Sequence, residues 1–464
     1  MNITRIEIRN LYGYLNKDID LDNNISLLVG INGSGKTSVL NVVNWIMTPS
    51  LQNLCITEFD KIKIEFKFNK NDYKITCNQS DKELTIDITN VSENRIYPQI
   101  QADFKISPKK LNVNDLDLIE KLKYEYSNLG PEKHEEESWD FLFNKLPNPI
   151  VIGLDRTLFT EEGNEIVYLE NNRKVVKKRT ISSEFKNPLT EVLRLSGYEY
   201  MMHKNRILEL NKKLNDKIML SSFDETLTIE SLNELIKSPK ITVKQVESLE
   251  VKVKDYFSEN IIKNERPFSK RREQNTGFDK IDSYFSNLKK LLQNKDTNDK
   301  ERLDILYITN LNQFKKLKDL IKEFEDFETK TKKSFEPLML YLDTINLFLE
   351  DSSKCLYFER NTGKLKFKIL DKNKEIVKDG KEIVHLSSGE KQILILFTYI
   401  KFNNKCGRIF IIDEPELSLH PKWQDNFLTG IKKIMADNTQ LLFATHSPSI
   451  VGKNKNYCKV LLPY

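Results

Sequence analysis

The sequence ISLLVGINGSGKTS, residues 25–38, decides the fold of this chain. Its first five residues form the short apolar run of a buried strand, and the residues after it have the apolar spacing of a helix. Between them, Gly30, Gly35, Lys36 and Thr37 fit the phosphate-loop pattern GxxxxGK(S/T). Glycines in such a loop let backbone N–H groups surround a polyphosphate, while the lysine reaches its β and γ oxygens and the threonine hydroxyl faces Mg²⁺. The stretch therefore predicts nucleotide binding.

The overall composition excludes several classes of protein. The 464 residues include 73 Lys and Arg against 68 Asp and Glu, and a formal charge of +5 is too small to indicate a polycation wrapped on nucleic acid. The five cysteines are dispersed without a CxxC pair, which favours reduced thiols in a cytosolic protein over a disulfide scaffold or a zinc site. No apolar run approaches the ~20 residues of a membrane span. We expect a cytoplasmic protein that does not enter membranes.

Strand-like segments enclose a helical segment in this sequence. Apolar and polar residues alternate at 3–8 and again in several runs between 62 and 88, which predicts a first strand followed by an antiparallel meander. Glycine becomes scarce between about 182 and 350, where apolar residues recur every three or four positions, as from Leu303 to Phe327. Strand periodicity then returns at 355–358. We expect a helical bundle or short arm inserted into an α/β unit.

Two features of the N-terminal half allow both a functional and a plain structural interpretation. The apolar run 149–154 is typical of a buried strand, and it ends in Asp155 and Arg156. Such a position favours a ligand contact and an ordinary surface ion pair about equally. For the basic stretches at 173–179 and 266–272, solvated charge is the favoured interpretation and DNA binding is the alternative.

Three motifs follow one another after residue 380. The first, LSSGEKQ at Leu386–Gln392, leads into an apolar helix. The second, RIFIIDEPELSLHP, places Asp413 and Glu414 directly after a buried strand. There one carboxylate can hold Mg²⁺ and its neighbour can polarise a water for attack on a γ-phosphate. The third, LLFATHSP, is another buried strand, and it delivers the polar side chain of His446.

Together, the phosphate loop and these motifs resemble an ABC-type ATPase head of the branch that contains SMC, RecF and OLD-like proteins, among the AAA family ATPases. The resemblance covers about 1–180 and 352–464. It implies an α/β fold in which a mixed sheet is joined to an antiparallel β subdomain. It also implies three segments: residues 1–181 as the first half of the head, 182–351 as the helical insertion, and 352–464 as the second half.

The resemblance implies ATP and Mg²⁺ as cofactors and assigns a role to each motif. Asp413 corresponds to the Walker B acid, which with Thr37 is expected to hold the metal. Glu414 corresponds to the catalytic base, and His446 to the switch histidine that senses the γ-phosphate. The residues expected to contact nucleotide are Gly30, Asn32, Gly33, Ser34, Gly35, Lys36, Thr37, Ser38, Ser387, Gly389 and Glu390.

Two further elements of the family can be sought in this sequence. Glu416–His420 lies where the D-loop is found. Gln99 and Gln101 are candidates for the Q-loop glutamine, with Asp155 and Arg156 as another candidate contact to the γ-phosphate or to water. The signature has Ser388 where many members have glycine, a variant that resembles the SMC and RecF branch.

In this family the signature loop of one head completes the phosphate site of another. The resemblance therefore implies a head-to-head dimer or higher homo-oligomer that ATP joins and hydrolysis releases. The leading interpretation is a stand-alone ATPase subunit, similar to those of anti-phage defence systems such as Septu or PARIS. It would control a separate effector such as a nuclease, in response to DNA or a phage protein. Because residues 447–464 follow His446 in this sequence, we expect no TOPRIM nuclease domain like that of OLD-like relatives.

Two alternatives belong to other functional classes. One is a RecF-like DNA-repair ATPase that clamps DNA directly, and steep salt dependence of DNA binding would favour it. The other is a non-catalytic assembly scaffold that binds ATP without turning it over, against which Glu414 and His446 argue.

Overall fold

A computed structural model describes residues 1–112, 114–152, 188–221, 223, 241–262, 271–293, 300–403, 408–417 and 419–463, with short strands at 158–159, 165–167 and 175–177. The chain divides into two compact units. One unit consists of Met1–Met201 with Pro337–Tyr464, and the other consists of Met202–Glu336.

Both strands and helices occur along the chain, in runs of several elements of one kind. The described strands are β1 (Asn2–Leu11), β2 (Leu15–Asp20), β3 (Ile25–Val29), β4 (Lys61–Phe68), β5 (Asn71–Gln79), β6 (Glu83–Asn90), β7 (Arg95–Ile96), β8 (Ile100–Asp103), β9 (Ile150–Ile152), β10 (Leu158–Phe159), β11 (Glu165–Val167), β12 (Val175–Lys177), β13 (Lys354–Phe358), β14 (Leu365–Leu370), β15 (Ile376–Glu382), β16 (Ile409–Asp413), β17 (Gln440–Thr445) and β18 (Cys458–Val460). The described α-helices are α1 (Lys36–Met47), α2 (Leu51–Leu54), α3 (Leu116–Ser127), α4 (Glu136–Asp140), α5 (Pro188–Ser221), α6 (Val243–Ile262), α7 (Arg271–Gln293), α8 (Lys300–Leu349), α9 (Ser388–Phe402), α10 (Pro421–Ile434) and α11 (Pro448–Gly452).

An antiparallel sheet forms one layer of the first unit, in the order β2-β1-β4-β5-β6-β7 with β8 paired to β6. Its strands alternate between buried and more exposed residues, so that Ile62, Ile64 and Phe66 of β4 all point into the core. The buried face packs with α1 in a single hydrophobic cluster. The predicted first strand and the meander after it are confirmed.

A six-stranded sheet forms the other layer, in the order β10-β9-β16-β17-β3-β18. All its pairs are parallel except β9 with β10. Because β3, β16 and β17 are covered on both faces, nearly every residue in them is buried, which explains their continuous apolar sequences. Asp413 lies opposite Ala444, and Thr445 lies opposite Val29. The carboxyl ends of these three strands therefore meet at one edge.

The buried side chain of Gln440 joins the two layers. Its Oε1 accepts from the backbone N–H of Ile3 at 2.7 Å, and its Nε2 donates to the carbonyl of Ile3 at 2.7 Å and to that of Asp22 at 3.0 Å. These bonds tie the start of β17 to β1 and to the turn before β3. The amide thus pairs backbone groups that the strand ladders leave open.

A three-stranded antiparallel sheet, β13-β14-β15, precedes the helix α9. Its first strand confirms the predicted strand at 355–358. The third strand was not predicted, because six of its seven residues are exposed and it lacks the alternation that marks a half-buried strand. With both layers and this small sheet, the predicted α/β class with an antiparallel β subdomain is confirmed.

The second unit is helical and has a core of its own. Buried side chains of α6, α7 and α8 form that core, which comprises Val246, Leu249, Val253, Phe285, Leu288, Phe314 and Ile321. The unit begins and ends inside α5 and α8. The boundaries suggested from the sequence, at 181/182 and 351/352, lie outside these points, because a helical pattern does not change where the chain passes from one core to another. None of the helices in the described part of the chain is both long and apolar enough to cross a membrane.

Candidate functional site

The phosphate loop connects β3 to α1. The Lys36 side chain stabilises the conformation of this loop. Lys36 is only 5% exposed, and its Nζ donates to the carbonyls of Gly30 at 3.0 Å and of Ile31 at 3.1 Å. Gly33 and Gly35 have φ angles of 81° and 88°, in the left-handed region that favours glycine. The loop therefore curls around the lysine.

One side of this loop is packed and the other is open. A Cβ on Gly30 would lie 2.5 Å from the carbonyl oxygen of Leu461, and a Cβ on Gly35 would lie 2.8 Å from a methyl carbon of Leu15. A Cβ on Gly33 would meet no atom within 4 Å. Asn32 and Thr37 are exposed, and Ser38 is half-buried. A ligand would therefore approach from the side of Gly33.

The N-terminus of α1 has no side-chain cap. Its N-cap residue, Gly35, makes no side-chain hydrogen bond, and the first turn contains no acidic residue. The buried hydroxyl of Ser34 also has no partner among the described residues. Unpaired N–H groups and the positive end of the helix dipole make such a terminus suited to an anion. The loop fits a phosphate group on these grounds.

Asp413, the last residue of β16, lies next to the start of α1. The Thr37 hydroxyl donates to its Oδ2 at 2.8 Å, and its Oδ1 is buried without a partner among the described residues. Burial raises the pKa of Asp413, an effect that the negative charge of Glu414 increases and that the Thr37 hydrogen bond and Lys36 oppose. An unpartnered carboxylate oxygen beside a hydroxyl is the oxygen donor set that Mg²⁺ takes in nucleotide sites, where water and phosphate supply the other ligands.

Glu414 and His446 face each other beyond Lys36. His446 Nε2 lies 3.4 Å from Glu414 Oε1, and His446 Nδ1 lies 3.5 Å from Lys36 Nζ. Since an ammonium group only donates, its position favours the tautomer in which Nδ1 accepts and Nε2–H points to the carboxylate. Glu414 has a φ of 45° and donates its backbone N–H to the Ala444 carbonyl at 2.8 Å. Strain of this kind in a residue other than glycine is common at functional sites.

Two opposing effects act on the pKa of Lys36. Burial lowers its pKa, whereas the negative charges of Glu414, Asp413 and Glu416 act in the opposite direction. Three carboxylates and a lysine therefore lie close to one another at the edge where β3, β16 and β17 end. Such a mixed cluster at the carboxyl ends of parallel strands is where ligands bind in α/β folds.

Glu416 is a central residue of this edge, although the sequence suggested only that it belongs to a loop. Its Oε1 accepts from the Thr445 hydroxyl at 2.8 Å and from the backbone N–H groups of His446 at 2.6 Å and Ser447 at 3.0 Å. The only sequence signal for it was a third carboxylate close to Asp413 and Glu414, separated from them by Pro415. Its partners could not be identified from the sequence.

In the signature loop before α9, Ser387 and Glu390 form hydrogen bonds with each other. The Ser387 hydroxyl accepts from the Glu390 N–H at 3.4 Å, and Glu390 Oε2 accepts from the Ser387 N–H at 2.7 Å, which together form a capping box. Lys354 on β13 contacts both Glu390 oxygens, at 2.9 and 2.8 Å, and the Ser352 hydroxyl donates at 2.6 Å. Glu390 itself is only 2% exposed.

These contacts favour a structural role for Glu390 over the nucleotide contact expected from the sequence. Burial by itself raises the pKa of Glu390, but the hydrogen bonds from Lys354, Ser352 and the Ser387 N–H outweigh it and hold the pKa below its usual value. Gly389 is buried, whereas Ser387 is exposed. Within the described residues, no hydrogen bond or ion pair joins 386–392 to 30–38.

The remaining candidates lie elsewhere. The Gln99 amide donates to Asp87 Oδ1 at 2.7 Å, and the Gln101 amide donates to Gln99 Oε1 at 2.9 Å. Both side chains therefore bond within the region of the antiparallel sheet. Asp155 and Arg156 lie outside the described residues, as does Ser418 of the expected D-loop, and the side chains of both basic stretches are not described. Direct DNA clamping therefore stays a prediction.

Comparison with known proteins agrees with the chemistry of this edge. The chain matches the family described as AAA ATPase domain over residues 1–451. The chain belongs to this family. Membership supports the ATPase activity that the phosphate loop and the Asp413–Glu414 pair predicted.

Two similar proteins add detail. The chain is 31% identical over 163 residues to the retron Ec83 probable ATPase of Escherichia coli, a match that covers 29% of this chain and 29% of that protein. It is also similar to a structure of the Smc head domain of Pyrococcus furiosus, with an extended coiled coil and bound to the C-terminal domain of ScpA. That similarity has a TM-score of 0.33 and 13% identity, and it covers 97% of this chain and 91% of the other.

Proposed function

We propose that this AAA family ATPase hydrolyses ATP at the edge formed by the phosphate loop, Asp413, Glu414 and His446. One observation carries the proposal. Lys36, His446 and Glu414 form a continuous chain of contacts beside an uncapped helix N-terminus. A polyphosphate on that terminus would lie next to a cation, a carboxylate and an imidazole.

Each side chain has a distinct task in this proposal. Lys36 and the N–H groups of the loop bind the phosphates. Thr37 and Asp413 would hold Mg²⁺, which supplies positive charge for the leaving and transferred phosphate oxygens. Glu414 accepts a proton from the attacking water, and His446, with Nε2–H toward Glu414, orients that carboxylate.

We further propose that ATP joins two copies of the chain. Ser387 and Gly389 of one copy would contact the γ-phosphate held by the other, since within the described residues no hydrogen bond or ion pair joins the signature loop to the phosphate loop of its own chain. The Ser387 hydroxyl only accepts in its capping bond, so its own hydrogen stays available to donate. A ligand that contacts both copies favours the joined state by its differential affinity.

The biological role that fits best is control of a separate effector, such as a nuclease, in anti-phage defence. The similarity to a retron ATPase supports this role, although the match spans 29% of that protein. DNA or a phage protein is the proposed trigger.

Glu414→Gln tests the catalytic assignment. We expect ATP turnover to fall at least about 100-fold, because the amide cannot accept the proton of the attacking water. ATP binding should persist, so that light scattering with ATP and Mg²⁺ detects a species of twice the mass of one chain.

The matched control is Glu120→Gln, a substitution of an exposed glutamate on α3. It should turn over ATP like the wild type. Normal turnover by Glu414→Gln would show that Glu414 is not the base, and a trapped variant that remains monomeric would contradict the dimer.

A further inference from the structure

Glu416 is bonded to the segment that carries His446. Three donors converge on its Oε1, namely the Thr445 hydroxyl and the N–H groups of His446 and Ser447. Two of these donors are backbone groups of a loop that has just left β17. Because they have turned out of the strand ladder, they need an acceptor from elsewhere.

A second connection closes a ring around this loop. Gln424 on α10 accepts from the Ser447 hydroxyl at 2.6 Å and donates to the Leu419 carbonyl at 2.9 Å. The segment after β16 and the segment after β17 are therefore linked twice, once through Glu416 and once through Gln424. Of the two links, only Glu416 reaches the backbone of His446 itself.

The position of the His446 ring depends on this backbone. Its two nitrogens lie 3.5 Å from Lys36 and 3.4 Å from Glu414, so a small shift of the loop would lengthen one or both contacts. Loss of this acceptor would leave the Thr445 hydroxyl and the His446 N–H unpaired, whereas the Ser447 N–H would keep its bond to the Thr445 hydroxyl oxygen at 3.0 Å. The loop would then move to satisfy the two unpaired donors. Displacements of about 1 Å in such a site cost about 100-fold in rate.

We propose that Glu416 is a positioning residue for ATP hydrolysis, which holds the backbone of His446 so that the ring lies between Lys36 and Glu414. The proposal rests on the role proposed above for His446. It makes hydrolysis depend on a carboxylate oxygen that touches neither the expected nucleotide position nor the reacting water. Glu416 acts through the length of its side chain and through hydrogen bonding.

Two substitutions separate the effect of the length of the Glu416 side chain from the effect of its charge. Glu416→Gln keeps an oxygen at the same distance and loses the charge, and its amide nitrogen takes the place of Oε2, which has no partner among the described residues. Glu416→Asp keeps the charge, but it is one methylene shorter and cannot reach the three donors. We expect single-turnover hydrolysis to fall about 100-fold in Glu416→Asp and less than about fivefold in Glu416→Gln. The Kd for ATP should change less than about threefold in both.

A double-mutant cycle tests whether Glu416 acts through His446. If it does, adding Glu416→Asp to the His446→Ala variant should slow single-turnover hydrolysis by less than about twofold, because the ring that Glu416 positions is already absent. A full additional 100-fold loss would overturn the proposal, as would wild-type turnover in Glu416→Asp or a larger loss in Glu416→Gln than in Glu416→Asp. Normal turnover in His446→Ala would instead overturn the proposed role of His446. Thermal unfolding of each variant confirms that folded protein is compared.

Discussion

Two helices of this protein begin directly after a loop rich in small residues, and their N-termini differ in one respect. The first turn of α1 has no side-chain cap and no acidic residue. The first turn of α9 is closed by a capping box in which Ser387 and Glu390 satisfy each other's backbone N–H groups. The terminus of α1 therefore needs a ligand to pair its N–H groups, whereas that of α9 stabilises itself.

The carboxylates beside the two helices show the same contrast. Asp413 near α1 has a buried oxygen without a partner among the described residues, and burial raises its pKa. Glu390 in α9 is more deeply buried, yet Lys354, Ser352 and a backbone N–H bond to it and hold its pKa low. Full pairing agrees with a structural role for Glu390, and the unpaired oxygen of Asp413, next to the Thr37 hydroxyl, is suited to a cation.

The largest effect expected from this comparison is that of Lys36→Ala. We expect ATP affinity to fall about 1,000-fold or more, which corresponds to about 4 kcal/mol, because the phosphates lose their only buried cation in the described part of the loop. Isothermal titration calorimetry with ATP and Mg²⁺ measures the loss. Retained binding would show that the open terminus of α1 is not the phosphate site.

Lys354→Met should lower the stability of the fold, whereas Lys36→Ala lowers ATP affinity. Removing one partner of a buried ion pair costs about 3 kcal/mol, because the carboxylate of Glu390 stays buried without its cation. Urea unfolding at pH 7 measures this cost. Lys374→Met is the matched control, since its partner Glu350 is exposed, and it should unfold close to the wild type.

The stability difference between Lys354→Met and wild type should also depend on pH. Because the folded-state pKa of Glu390 is lowered, its stabilisation is present above the unfolded glutamate pKa of about 4.3. It is lost as the pH falls through the lower folded-state value, so the difference should stay constant from pH 7 to about pH 5 and shrink below about pH 4.3. A difference independent of pH would show that the Lys354–Glu390 pair is not its origin.

Ser387→Ala should have the smallest effect. Loss of the cap should lower the free energy of unfolding by roughly 0.5–1 kcal/mol, toward the low end because the capping bond is long. In the Glu414→Gln background it should also weaken ATP-dependent association, which analytical ultracentrifugation measures. Unchanged association would mean that the Ser387 hydroxyl serves only α9.

The sequence predicted best those parts whose pattern is local. The strands β3, β16 and β17 read as continuous apolar runs because both of their faces are covered, and β4 alternated because one face is. The exposed strand β15 has no such pattern. Lys354 and Ser352, two of the partners of Glu390, lie 36 and 38 residues before it, and the partners of Glu416 lie 29 to 31 residues after it, so these contacts leave no sequence signal.

By itself, the sequence determined the phosphate loop, the Asp413–Glu414 pair, His446 and the family. Each of these is a short contiguous motif whose chemistry depends on residue type and spacing alone. Only the tertiary structure decided which groups meet. The parallel register of β3, β16 and β17 brings Thr37 to Asp413 across 376 residues and Lys36 to His446 across 410. Pairing then separates the open carboxylate of Asp413 from the paired one of Glu390, because Lys354 and Ser352 are brought to Glu390 by the fold and not by their place in the chain.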